Sequence, residues 1–326
     1  MSQDQTKKEA LFNEVKGSLF EYLVAKTLAR RSGDELSFQQ GLDANYLNVL
    51  SQQDRMIRQF YPEMMIFLSK ASATAAEKII ERLGEIPAKP RVTGKFSHSK
   101  DSQDIHEADL IVETNAGPLP ISLKLNKKNS FVNSKSGGIK SFFSVYFPFI
   151  EAHIQQDFNQ LVDMEFNRMA LELHALHDME FQGNFDEWVK KGFSELPGEL
   201  SLAERDILKL YYARIAREMH LILQAGQKQN PDAFAQSLLP LMGFSSANIL
   251  QVICFHEFKT RHEVTVDIHS SQEVSSVLQQ ATLNAFGDIS SVEISVGKWD
   301  LQIRVKPMNK FTTTAIKINC SIKVRN

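Results

Sequence analysis

The sequence predicts an α/β protein with a helical insertion and a β-rich C-terminal region, and three observations carry that expectation. Two β-prone runs, 110–114 and 119–125, flank Asn115-Ala-Gly117-Pro118, a turn signal between strands. Apolar residues recur at helical spacing near the N-terminus and again between 151 and 224. From residue 263 the pattern shifts to strand alternation.

Taken in order, residues 8–31 read as an amphipathic helix with Leu11, Phe12, Val15, Leu19, Tyr22, Leu23 and Lys26 along one face. Helices are expected at 43–60, ending at Tyr61-Pro62, and at 73–83; a first strand follows from Ala88. After the hairpin and Gly138 the chain turns helical, with breaks at Gly183-Asn184 and Pro197-Gly198. Residues 263–269 read as a strand, 272–286 as a helix, and 292–296, 301–306 and 314–324 as strands. The expected organisation is 1–150 as a core with N-terminal helices, 151–250 as an acidic helical lobe, and 251–326 as a β-rich region that completes the core or contacts DNA.

At 326 residues the chain can bury a large core. Its two cysteines, Cys254 and Cys320, are too few for a disulfide framework or a zinc site and suit a reducing cytoplasm. The longest apolar run, 142–150, is interrupted by Ser144 and Pro148 and is too short to span a bilayer, and the N-terminus carries no hydrophobic signal region. A cytoplasmic protein without membrane attachment is expected.

The hairpin carries the chemistry. Strand side chains alternate with period two, so Asp109, Ile111 and Glu113 share one face, and Ser122, Lys124 and Asn126 share one face of the return strand. An acid and a lysine on adjacent strands can converge on one phosphate. The competing explanation is chance, because an acid with a lysine some way along the chain is common.

At these residues the sequence resembles the restriction-endonuclease-like PD-(D/E)XK nuclease superfamily, whose signature is an Asp followed, on the next strand, by an acid-any-Lys triplet. Gly17-Ser-Leu-Phe-Glu21-Tyr is similar to that family's first helix, with its inward-facing Glu. Asn133-Ser-Lys135-Ser-Gly137-Gly138 is similar to the polar segment after the motif lysine in some restriction enzymes, and 299–324 faintly resembles the terminal strands of type II restriction enzymes. The resemblance implies a restriction-endonuclease-like core, a central mixed sheet flanked by helices. It implies catalysis by Asp109, Lys124, Glu21 and position 122, with Mg²⁺, or Mn²⁺ in its place, held by Asp109, Glu21 and the backbone carbonyl of Leu123. The chain departs from the family at Ser122, where the acid is missing, so the second carboxylate comes from Glu21, or alternatively Glu113, or the site is inactive.

A hard cation prefers such oxygen ligands, lowers the pKa of a bound water and neutralises growing charge; Lys124 would orient the water and stabilise that charge. The expected function is a DNA endonuclease of restriction or phage defence. The expected assembly is a homodimer, with a defence-system protein as a further partner. The alternative is a catalytically inactive nucleic-acid-binding or assembly protein on the same fold.

The net charge of −2 hides an asymmetry. Residues 89–140 hold nine Lys or Arg against five acids, and 298–325 seven against one, whereas 151–200 hold three against eleven. The basic segments offer Lys95, Lys127, Lys128, Asn133, Lys135, Lys140, Arg304, Lys306 and Lys310 as DNA contacts; the competing explanation is lysine that blunts sheet edges. His174, His177 and Asp178 share a helical stretch, but a wet helix surface explains them as well as metal binding does. His256, His262 and His269 read as surface or packing residues.

Overall fold

The computed structural model describes residues 3–93, 108–128, 130–244, 248–256, 263–287, 289–307 and 310–325. Lys95 and His262 lie outside them. The chain is mixed α/β and divides into two compact units, Gln3–Ser130 with Gly243–Val274, and Phe131–Met242 with Ser275–Asn326. These boundaries differ from those expected because they follow strand pairing between distant segments, which composition along the chain does not report.

The first unit opens with helices α1 (Gln3–Ser32), α2 (Glu35–Gln40), α3 (Ala44–Phe60) and α4 (Pro62–Leu83). Asp43 caps α3 by accepting from the Asn45 and Tyr46 amides at 2.8 and 3.1 Å. Pro62 opens α4, because a proline at the first helical position gives up only an N–H with no helical partner. The helix expected at 73–83 therefore begins at Pro62, and Tyr61-Pro62 both ends one helix and starts the next. Gly84, at φ +70°, ends α4 in the left-handed region that glycine tolerates. On α1 the buried stripe runs through Val15, Leu19, Phe20, Val24, Ala25, Leu28 and Ala29, whereas Leu11 is exposed. The stripe is rotated from the expected one because the small residues Ala25 and Ala29 face the interior of the helical layer, where α1 packs on α4.

Strands β1 (Ala88–Val92), β2 (Leu110–Thr114) and β3 (Gly117–Lys127) form an antiparallel meander. Gly117 closes the β2–β3 turn at φ +108°. Strand β4 (Val132–Gly138) belongs to the second unit, as do helices α5 (Phe142–Tyr146), α6 (Ala152–Ala175), α7 (Asp186–Lys190), α8 (Leu202–Gln229) and α9 (Pro231–Leu241). The chain then returns as β5 (Leu250–His256), parallel to β3, and β6 (Val264–Ser270), antiparallel to β5. The first sheet thus has the order β1-β2-β3-β5-β6. Pro118 and Pro120 are tolerated in a central strand because β5 pairs with β3 only from Ile121 onward, so no ladder bond is lost to the missing N–H groups.

One face of this sheet carries Leu110, Val112, Ile121, Leu123, Leu250, Val252 and Cys254, all buried in one core with α1, α3 and α4. Ser122, Lys124, Gln251 and Ile253 alternate to the other face. After β6, α10 (Ser271–Ser275) replaces the longer helix expected at 272–286, and the chain continues into the short strand β7 (Thr282–Leu283). Pairing of β7 with β8 (Ser291–Val296) outcompetes helical continuation there.

The second unit is completed by β9 (Trp299–Pro307) and β10 (Ile316–Val324). Its sheet is antiparallel throughout, in the order β4-β10-β9-β8-β7. Along β10, Ile316, Ile318, Cys320 and Ile322 are buried, while the residues between them are not. Helix α8 packs on β8 and β9 and pairs with α6. Its start is fixed by a capping box: Ser201 and Glu204 satisfy each other's amides at 2.6 and 3.4 Å. Trp188 is fully buried among His174, Phe185, Phe193 and Phe311. His174 is thus a core residue whose Nδ1 bonds the Ala170 carbonyl at 2.7 Å.

Candidate active site at the open end of the hairpin

Register places the chemistry at the end of β2 away from the turn. Leu110 pairs with Ile121, and the Asp109 N–H also donates to the Ile121 carbonyl at 2.9 Å. Two residues of one strand therefore share one partner, as in a β-bulge, and the chain leaves the ladder at Asp109. The Asp109 carbonyl accepts from the Thr93 N–H at 3.1 Å, so the main chain is held on both sides.

The carboxylate takes over where the main-chain ladder stops. Asp109 Oδ2 accepts from the Leu123 N–H at 2.7 Å and the Ser122 hydroxyl at 3.3 Å, and lies 3.3 Å from Lys124 Nζ. Both charged side chains are partly exposed, at 21% for Asp109 and 29% for Lys124, so the pair is open to solvent and to a ligand. In a strand the N–H and C=O of one residue point to the same neighbour. The Leu123 carbonyl is therefore presented on the side from which its N–H meets Asp109.

Asp109, Ser122, Lys124 and Leu123 thus come together as the sequence implies. Glu113 does not join them. It sits opposite Pro118 at the turn end of the hairpin and lies 3.7 Å from Arg91. Four residues of strand separate that position from Ser122, about 13 Å. Glu21 belongs to α1, in the layer on the face to which Ile121 and Leu123 point; its charge helps raise the pKa of Tyr46, after the larger effect of burial. Glu21 is not among the described partners of the Asp109 carboxylate.

The polar character continues sideways. Ser122 is in register with Gln251 on β5, and Gln251 with His269 on β6, and all three are almost fully buried. Such groups are costly to bury without polar partners, and this row of polar residues runs sideways across the sheet from Ser122. His269 is a buried member of it and not a surface residue. Neither Gln251 nor the β5 strand was legible beforehand, although Ile249 to Phe255 is rich in β-prone residues.

The proposed DNA contacts divide by their surroundings. Lys127 and Lys128 are exposed at the end of β3 and just beyond it, and Asn133 is exposed on β4. Lys135 is half-buried opposite Cys320. Lys140 is held by both carboxylate oxygens of Asp163 at 2.6 and 2.7 Å, and Lys310 by Glu195. Arg304 and Lys306 are exposed on β9.

Among the described residues, no group of three or more His, Cys, Asp or Glu side chains could hold a metal. The oxygen donors at the hairpin are one carboxylate, one main-chain carbonyl and one hydroxyl. That set fits Mg²⁺, which keeps several waters and commonly takes only one or two protein carboxylates with substrate phosphate supplying more oxygen. No helix of the described residues is long and apolar enough to cross a membrane.

Comparison with protein-family models, with characterised proteins and with solved structures found no match to this chain.

Proposed function

We propose that this chain is a Mg²⁺-dependent endonuclease that hydrolyses DNA phosphodiester bonds, with Asp109 and Lys124 as its catalytic residues. The observation that carries the reading is the meeting of Asp109 Oδ2, Lys124 Nζ and the Leu123 main chain where β2 leaves the sheet. The mixed sheet with helices on one face agrees with the core implied by the resemblance to the restriction-endonuclease-like superfamily. A role in restriction or phage defence follows from that resemblance.

Asp109 and the Leu123 carbonyl would hold the cation, and Ser122 would add a neutral oxygen. When bound, the metal supplies Lewis acidity and a water of lowered pKa. The chain's own residues do the rest. Lys124, on a strand and fixed by one bond to Asp109, offers its remaining two N–H donors to the scissile phosphate and to charge developing on it. Asp109 anchors that ammonium beside it. With Ser122 in place of an acid the site carries one negative charge instead of two, so metal retention leans on substrate phosphates. One such site serves one strand, and cutting a duplex calls for two copies of the chain.

Supercoiled plasmid incubated with Mg²⁺ or Mn²⁺ tests this directly. Wild type should nick or linearise it, and Lys124→Ala and Asp109→Ala should not. Cleavage that survives in both variants overturns the assignment. A second reading, a DNA-binding protein without cleavage, is favoured by Ser122; binding without cleavage in the wild type selects it.

A further inference from the structure

We propose that the side of the second sheet facing away from its helices is a docking surface for the phosphate backbone of duplex DNA, built on Arg304, Lys306 and Lys317. The choice of DNA rests on the nuclease reading; the need for a polyanion rests on the sheet itself.

In the β9–β10 register Lys306 stands directly opposite Lys317, and Arg304 stands opposite Asn319. Side chains two apart on a strand share a face, so the three cations are immediate neighbours. Like charges directly opposite one another destabilise a sheet. Among the described residues none of the three makes an ion pair, whereas Lys140 and Lys310 of the same unit each hold a carboxylate. What they do contact is neutral: Arg304 donates to the Gln302 amide oxygen at 2.6 Å. Lys306 donates to the Asn319 amide oxygen at 2.8 Å, with that amide oriented so that both its ends are satisfied. These amides orient the cations and leave their charge intact. Local desolvation of its ammonium, followed by the charges of Arg304 and Lys317, pushes the Lys306 pKa below the usual lysine value.

Edge protection does not account for these residues. β9 and β10 are interior strands, each paired on both sides, and lysines that blunt edges belong on outer strands. The flanking position on β4 opposite Lys317 is Gly138, which adds no side chain of its own beside the cations. A phosphate backbone neutralises several charges at once and releases its counterions in doing so.

The test uses the full chain with a labelled duplex in EDTA, so that binding is read without cleavage, over a series of salt concentrations. Wild type should bind with an affinity that falls steeply with salt. Lys306→Gln combined with Lys317→Gln should bind more weakly and lower the magnitude of the log–log salt slope by about 1.8, two phosphates at ~0.9 each. Lys310→Gln, whose ammonium already holds Glu195, should keep the wild-type slope. The DNA-free double variant should melt no lower than wild type, since it sheds a repulsion, and this separates lost contact from lost fold. An unchanged slope in the double variant, or binding to anionic vesicles and not to DNA, overturns the proposal. A chain that cuts DNA but keeps its slope in the double variant retains the nuclease and loses this surface; a slope that drops in a chain that never cuts does the reverse.

Discussion

The Leu123 N–H donates to Asp109 Oδ2 at 2.7 Å, so a side-chain carboxylate occupies the place where the next rung of the β2–β3 ladder would stand. The same oxygen anchors Lys124. Structure and chemistry therefore share one atom, and variants at Asp109 should affect both.

For activity, Lys124→Ala and Asp109→Asn should each lower the rate of plasmid cleavage by about 10²- to 10³-fold, the size of losing one positioned electrostatic group. Single-turnover cleavage at saturating enzyme measures the chemical step. A loss confined to binding would count against a catalytic role.

For stability, Asp109→Ala removes the acceptor of a main-chain N–H and of a partly buried ammonium, and should cost about 1–3 kcal/mol. Asp109→Asn keeps an oxygen acceptor and should cost less. Urea denaturation of the three proteins gives the order wild type, Asn, Ala.

Ser122 is nearly inaccessible and lies 3.3 Å from Asp109 Oδ2. Ser122→Asp should bring two carboxylates together, which disfavours ionisation of both beyond what the single Lys124 charge offsets unless a further cation binds. Its melting temperature should fall below wild type in EDTA, and Mn²⁺ should raise it by more than it raises wild type. Equal responses of the two proteins to Mn²⁺ would remove the metal from this site.

Burial opposes ionisation of Glu204, but hydrogen bonds from Ser201 and His177, the latter at 2.9 Å, outweigh it and hold its pKa below the ordinary glutamate value. The folded protein therefore binds this proton less readily than the unfolded chain. The stabilisation is complete above about pH 4.5, the unfolded value, and is lost as pH falls through the depressed folded value. Glu204→Gln should flatten the acid limb of melting temperature against pH and cost about 1 kcal/mol near neutrality through the weakened cap. Thermal melts from pH 7 to pH 3 check both.

The hairpin was legible because everything that makes it is local. Thr114 and Gly117 close it with a bond from the Thr114 hydroxyl to the Gly117 carbonyl at 2.8 Å, and period-two alternation then puts Ser122 and Lys124 on one face. Helix α3 was legible for the same reason, since its cap, Asp43, and its stop, Tyr61-Pro62, adjoin it directly in the chain. By contrast, β5 reaches β3 only after the chain has passed through the second unit, and no local pattern names the partner of a strand so distant.

Charge shows the same division. The sequence alone displayed the basic segments and the residues able to meet a phosphate. Only the tertiary structure decided which cations are already neutralised, Lys140 by Asp163 and Lys310 by Glu195, the latter 115 residues away. It also decided that Lys306 and Lys317 face each other on interior strands without an acid. Local backbone preferences are set by neighbours in the chain, whereas ion pairing and strand order are set by neighbours in space, and folding alone brings those together.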